Sequence, residues 1–436
     1  MSGLLNIIYG VCLIAMTPWL LWRKLFQNKS RRGWSHKLLG RVPRRQGNAA
    51  CIWIHAVSVG EVNLLKPLIE QLNRVDSNIE VVISTSTETG FDLAQNKYPA
   101  QTVFFCPMDF SWAIRQTLKR IRPDLLVLTE LELWPNLIMN ARSYGAQVMV
   151  ANARLSESSF QGYRRFRFLL GPVLKSINLI ATQNEEYAER FRQLGCTDKQ
   201  IVTTGNIKFD NAKLDRNHSR TNQLASLLPA GRRFVTVGGS TQFEEDVLLI
   251  QTFQKLVAEI PEFQLILVPR HPDRAERISR FINQQGLSFA LRSETNGPLE
   301  KTDGINPILI IDVIGELGDW WGVADAAYVG GSMGTRGGQN MIEPSAFGIP
   351  VSFGPRTANF RNVVKQLLDR EAAVVVCDQN EIESFVRRAY VDAAWSTSIG
   401  DRARQLVLSQ QGATERTLDC LLAMVKPALA DRRRAA

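Results

Sequence analysis

From residue 51 onward, short apolar runs alternate with segments whose apolar positions recur at helical spacing. In the first half the runs predict strands at 51–57, 80–84, 102–105, 125–129, 147–151 and 178–181, with helices such as 61–74, 112–121 and 185–194 among them. A polar break at 211–221 interrupts the rhythm, which resumes with strands at 234–237, 264–268, 308–311, 326–329, 351–352 and 373–376. Strands this short and apolar, separated by helices, predict parallel sheets covered on both faces. The expected fold class is therefore α/β, with two Rossmann-like doubly wound domains at 51–215 and 225–436. Ligands of such sheets bind beyond the carboxyl ends of the strands, here in a cleft expected between the domains. A chain of 436 residues suits two such cores plus attachments.

The attachments come first. Leu4 to Trp22 are 19 positions without a charged side chain, a helix of roughly 28 Å, close to bilayer thickness. Nine Lys/Arg and no acid follow between Arg23 and Ala50, a concentrated share of the net charge of +10, and Arg432 to Arg434 add a cluster at the other end. Basic stretches bind nucleic acid or membranes, and the apolar run beside this one selects the membrane. A cleaved signal carries its cations before the apolar run, whereas Met1-Ser2-Gly3 has no charged side chain. The order predicts an uncleaved anchor at 1–22, spanning or lying in the plane. A basic membrane-proximal segment at 23–50 follows, with the remainder cytoplasmic.

Composition then removes several classes. The six cysteines are scattered without a CxxC and only four histidines exist, which argues against a zinc site. No GxxxxGK[ST] and no GxGxxG after the first strand are present, excluding P-loop and dinucleotide readings. No DxD appears, so no metal clamp on a pyrophosphate is expected, and a monophosphate leaving group neutralised by Arg and Lys would need none.

Candidate chemistry clusters at the strand ends. Glu61 follows the first strand and Ser58-Val59-Gly60, in the first turn of a helix; it is either a helix cap or a base whose pKa the helix dipole lowers. Glu130 and Glu132 end an apolar strand, where an acid meets a cation of its own domain or a polar ligand. Lys208, in Gly205-Asn206-Ile207-Lys208, supplies a cation. In the second half, Arg270 and His271 end a strand, and a guanidinium fork suits phosphate. Asp312-Val313-Ile314-Gly315-Glu316 forms another strand-to-helix corner. Gly330-Gly331-Ser332 and Arg336-Gly337-Gly338-Gln339-Asn340-Met341-Ile342-Glu343 follow. They read either as a plain turn and capped helix or as a phosphate cradle whose donors lie at an Asn340 helix start, with Glu343 on ribose hydroxyls.

His55 to Glu61, Glu130-Leu-Glu-Leu-Trp-Pro-Asn136, Ala151-Asn-Ala-Arg-Leu-Ser156, Gln183-Asn-Glu185, Leu267-Val-Pro-Arg-His-Pro272 and Gly337 to Pro344 together resemble the 3-deoxy-D-manno-octulosonic acid (Kdo) transferases of lipopolysaccharide assembly. The resemblance runs from the anchor to about residue 420. It implies a GT-B glycosyltransferase fold, CMP-Kdo as donor with no metal or other cofactor, and an anionic lipid A precursor as acceptor. It also implies work at the cytoplasmic face of a Gram-negative inner membrane. By the same resemblance Glu61 is the general base, and Glu130 and Lys208 support the transition state. Arg270, His271, Ile314, Gly315, Glu316 and Asn340, Met341, Ile342, Glu343 hold CMP. Where the family commonly has Gly-Gly-His-Asn, this chain has Gln339, which removes any proton transfer by a histidine there. The remaining alternatives are another GT-B enzyme, such as an epimerase or polyol-phosphate transferase, and a non-catalytic nucleotide-binding membrane protein.

Overall fold

A computed structural model describes residues 2–27, 32–75, 78–231 and 233–435, without the side chains of 4, 16, 18–27 and 431–435. Lys29 and Arg31 of the basic segment, and the side chains of Arg23, Lys24 and Arg432 to Arg434, lie outside that description. The chain forms two compact units, one of residues 1–211 with 411–436 and the other of 212–410.

The first unit holds seven parallel strands: β1 (Ala50–His55), β2 (Ile79–Thr85), β3 (Thr102–Phe105), β4 (Leu125–Thr129), β5 (Gln147–Ala153), β6 (Leu179–Thr182) and β7 (Ile201–Thr203). Their order is β3-β2-β1-β4-β5-β6-β7. The chain winds outward from β1 in one direction and, from β4, in the other, so β1 and β4 flank the switch point. Both faces are apolar because both are covered: Cys51 and Trp53 enter one core, Ala50, Ile52 and Ile54 the other.

The second unit repeats the plan with β8 (Phe234–Thr241), β9 (Phe263–Pro269), β10 (Phe289–Leu291), β11 (Ile308–Ile310), β12 (Ala326–Val329), β13 (Val351–Phe353) and β14 (Val374–Val375). The order is β10-β11-β9-β8-β12-β13-β14, with the switch between β8 and β12. The short strands β7 and β10 are additions to the sequence reading. Each has three residues at or near a sheet edge, too few to show a period.

One boundary is corrected. The second domain, expected to run to 436, ends at Gln410, and the helix Ala413–Ala435 belongs to the first unit. Its Leu418, Leu421 and Val425 enter the core face that contains Ile52 and Ile54. Asp210 fixes the return by accepting from the Gly412 and Thr414 amides at 2.7 and 2.5 Å. The helical period at 413–435 could be read from the chain, but the sheet it covers could not.

The N-terminal helix, Ser2–Gln27, lies against the first unit. Asn6 donates to Ser111 Oγ at 2.7 Å and accepts the Ser111 amide at 3.0 Å, and the Tyr9 hydroxyl donates to Asp109 Oδ2 at 3.0 Å. Its Ile7, Val11 and Ile14 are exposed. Among the described residues no helix is long and apolar enough to cross a membrane.

Because Leu421 is fully buried, Leu421→Ala is expected to cost about 2–5 kcal/mol of first-unit stability. Urea unfolding followed by a first-unit probe checks this, with a second-unit probe moving little.

Candidate active site

In the first unit the candidate side chains Glu61, Glu130, Glu132 and Lys208 gather at the switch point. β1 ends at His55, the chain turns through Val57 and Ser58, and the helix Val59–Val75 begins, placing Glu61 in its first turn. Three donors converge on its carboxylate. The Val57 amide donates to Oε2 at 2.9 Å, Ser58 Oγ to Oε1 at 3.1 Å, and Thr129 Oγ1, at the end of β4, to Oε2 at 2.5 Å. Glu61 thus caps its own helix and ties β1 to β4. The dipole argument predicted a lowered pKa, and the structure reverses that. Burial raises it, outweighing the hydrogen bonds from Thr129 and Val57, and the Glu130 charge adds to the rise.

Glu130 follows β4 in the left-handed region, at φ 55°, which a non-glycine residue adopts at a cost. That turn brings its carboxylate to two cations: Lys208 Nζ at 3.0 Å from Oε1 and Arg154 Nε at 3.6 Å from Oε2. Of the two readings left open by the sequence, a cation of the same domain or a polar ligand, the cation is present, and Lys208 supplies one. Arg154 was in a motif noted from the sequence but was not singled out. Glu132 accepts from Trp134 Nε1 at 2.8 Å. Burial and then the Glu61 charge push its pKa up to about 7.

Asn152, also overlooked, organises the neighbourhood. It is buried in the left-handed region at φ 53°, and its Oδ1 accepts the Ile207 amide at 3.1 Å, fixing the turn that carries Lys208. His55 is fully buried against Ser84, and burial lowers its pKa to about 4. It is a neutral packing group.

In the second unit, Arg270 and His271 emerge exposed at the end of β9, and among the described residues neither side chain makes a hydrogen bond or ion pair. Ile314 and Gly315 are exposed, Gly315 at φ 97°. Glu316 is buried and already matched: it accepts from Arg220 at 2.6 Å, from Arg292 at 3.0 and 3.1 Å, and from Trp320 at 3.2 Å. Its observed work is to fix this corner, leaving the 314–315 backbone outside.

The phosphate cradle is corrected in two respects. The turn after β12 has its amides occupied by Glu245, a residue not singled out in the sequence. Glu245 is 1% exposed and accepts the Gly331, Ser332 and Met333 amides at 2.7, 2.8 and 3.0 Å, with Tyr328 Oη at 3.0 Å and the Gln242 amide at 2.7 Å. Gly330 is required there, since a Cβ would stand 2.4 Å from Thr241 Cα. Secondly, the helix begins at Ile342 rather than Asn340 and has five residues. Asn340 lies just before it, accepting the Ile342 amide at 3.1 Å and donating to Glu343 Oε1 at 2.9 Å. Met341 and Ile342 are fully buried, so their side chains pack and do not face a ligand. Burial raises the Glu343 pKa against the Asn340 hydrogen bond. Among the described residues no group of three or more His, Cys, Asp or Glu could hold a metal ion.

Two doubly wound parallel-sheet units in one chain are the architecture of GT-B glycosyltransferases. A solved glycosyltransferase from Rickettsia africae shares the fold, with a TM-score of 0.54 at 12% identity over 88% of this chain and 99% of that one. Residues 29–211 match the family model of 3-deoxy-D-manno-octulosonic-acid transferase. The 3-deoxy-D-manno-octulosonic acid transferase of Haemophilus influenzae is 31% identical over 383 residues, 86% of this chain and 88% of the relative. That of Bordetella pertussis is 30% identical over 437 residues, 95% and 98%. The chain belongs to the Kdo transferase family and is a glycosyltransferase.

The raised Glu132 pKa carries a stability consequence. A carboxyl whose folded pKa exceeds its ordinary 4.5 binds its proton more tightly when folded. Its contribution is complete below that ordinary value and is lost as pH rises toward about 7. Glu132→Gln is expected to flatten the pH dependence of first-unit stability across this window, read from denaturation midpoints in matched buffers.

Proposed function

We propose that this enzyme moves Kdo from CMP-Kdo onto a lipid A precursor, lipid IVA, with inversion and with Glu61 as general base, in lipopolysaccharide assembly. The observation that carries the proposal is the Glu61 carboxylate. It is buried at the switch point of a Kdo transferase family chain, held by three donors and raised in pKa by burial. Oε2 is occupied by Val57 and Thr129, whereas among the described residues Oε1 accepts from Ser58 alone and retains capacity for a proton.

In the proposed step an acceptor hydroxyl gives its proton to Oε1 as its oxygen attacks the anomeric carbon of Kdo. The bond to the CMP phosphate oxygen breaks on the opposite face, and the phosphate leaves with the electron pair. A base of raised pKa assists this transfer better than one weakened by a helix dipole. Lys208 and Arg154, paired with Glu130, set the positive field on the acceptor unit. On the donor unit the unpaired Arg270 guanidinium meets the phosphate, His271 stands beside it, and the exposed 314–315 backbone contacts the nucleotide. Glu316, Asn340 and Glu343 hold that surface in shape, with Met341 and Ile342 packed beneath it. No metal or cofactor is part of the proposed step.

The membrane reading is also a proposal: attachment at the cytoplasmic face of the inner membrane through the helix Ser2–Gln27 and the basic segment. Asn6 and Tyr9 are hydrogen-bonded into the first unit while Ile7, Val11 and Ile14 face outward. This supports an interfacial helix lying in the plane, since those polar contacts would be lost at the bilayer centre.

Two measurements test the chemistry. Glu61→Gln keeps the shape of the side chain but not the base, so turnover of CMP-Kdo with lipid IVA should fall by roughly 10²–10⁴ with CMP affinity little changed; near-normal turnover would leave Glu61 as a cap alone. Arg270→Ala should weaken CMP binding about 10- to 150-fold in calorimetry with chelator present, and Arg270→Lys should recover part of that.

A further inference from the structure

We propose that the cavity between the N-terminal helix and the first unit receives one acyl chain of the acceptor lipid; this rests on the acylated-acceptor reading above. The cavity has a volume of about 380 Å³, within the usual range of ligand pockets. Leu13 of the helix Ser2–Gln27 forms one wall, and Met108 and Phe110, in and after the turn that follows β3, form the opposite one. Val57 and Trp134 also line it.

Those last two residues fix its meaning. The Val57 amide holds Glu61 and the Trp134 indole holds Glu132, so the cavity adjoins the carboxylate cluster at two points. A molecule with its hydrocarbon in the cavity therefore carries its polar end beside the base. Lys37 lines the same space, with its Nζ 3.2 Å from the Ser86 carbonyl, and places a cation where a phosphorylated end arrives.

The outer face of the same helix points to the source of the hydrocarbon. Ile7, Val11 and Ile14 are 65, 62 and 73% exposed, an aliphatic stripe that water disfavours and lipid accepts. The cavity lies behind that stripe, so a chain leaving the lipid passes only the thickness of one helix. The helix is tied to the unit by polar contacts, Asn6 to Ser111 and Tyr9 to Asp109. A wall joined by few polar contacts can part to admit a chain and close on it, as a wall continuous with the apolar core would not. An acyl chain is the occupant of matching chemistry, since apolar cavities are poor hosts for water.

The test fills the cavity from each side. Leu13→Trp and Met108→Trp place an indole in the space the chain would take. For each, kcat/KM is measured with CMP-Kdo and two acceptors, tetraacylated glucosamine disaccharide bisphosphate and its fully deacylated counterpart. The acylated-over-deacylated ratio should fall at least about tenfold, mainly through KM, since a single methylene in a hydrophobic pocket is already worth about 10- to 200-fold. An unchanged ratio in two folded variants would overturn the proposal, leaving the cavity a packing void. Should either variant misfold, the wild-type enzyme is irradiated with a tetraacylated acceptor bearing a diazirine at one acyl terminus. Adducts at Leu13, Met108 or Phe110 support the pocket, and adducts confined to Ile7, Val11 and Ile14 reject it. If neither disaccharide accepts Kdo in the wild type, the proposed function fails, and the adduct map still decides the cavity.

Discussion

A carboxylate withdrawn from water must be given donors, and in this protein that requirement joins each sheet at the place where its winding reverses. In the first unit Glu61, the third residue of the helix after β1, accepts from Val57 behind it and from Thr129 across on β4. In the second unit Glu245, the third residue of the helix after β8, accepts from Gln242 behind it and from the amides following β12. The two positions correspond, although the sequences around them show only a common rhythm. The strands on either side of each switch point are paired by their backbone ladders, and the acid adds a tie between the segments that leave their carboxyl ends.

The two acids differ in how completely they are matched, and the difference separates structure from chemistry. Glu245 meets six donors, three of them backbone amides of one turn, and is fully engaged within its own unit. Glu61 meets three, and burial governs its proton affinity. A helix terminus contributes the equivalent of half a charge, screened where water is near, whereas desolvation acts on the whole charge. Burial wins here, and the neighbouring Glu130 charge pushes the same way. Glu132 shows the same ordering, with desolvation ahead of the Glu61 charge. Lys208 and Arg154 are engaged first by Glu130, so the cluster holds its acids close without collapsing into a single ion pair.

Much of the fold was legible because a buried parallel strand is a run of apolar residues, and the runs at 125–129 and 326–329 match β4 and β12 to the residue. The three-residue strands β7 and β10 fell below the length at which a pattern exists. The destination of the C-terminal helix was not legible, because amphipathic spacing tells which face is buried but not against what. At the candidate site, residue type at a strand end picked out Glu61, Glu130 and Arg270, and the structure places all three just after strand ends. Asn152 and Glu245 escaped because their work is done on backbone amides, which carry no residue-specific signal. A weak one existed for Glu245: Gln242 three residues earlier has the spacing of a capping box, and the structure forms that box. The glycines at 330–331 misled for a related reason. They do permit a close approach, but what approaches is β8 and a carboxylate of the same unit.

That occupancy limits how the second unit can bind an anion. With the amides of 331–333 committed to Glu245 and the Ile342 amide committed to Asn340, the backbone donors expected there are largely used. The positive charge for a phosphate must then come from side chains, and Arg270 stands at a strand end with its guanidinium unpaired, beside His271. Arg220 and Arg292 share the single carboxylate of Glu316, which holds both guanidinium groups in place. Among the described residues Arg336 and Arg356, exposed near the glycine-rich turn, also have side chains without a hydrogen bond or ion pair, so more than one guanidinium stands open to an anion. Which donors the second unit leaves open to an anion thus depends on the amides that Glu245 occupies and the guanidinium groups that Glu316 occupies.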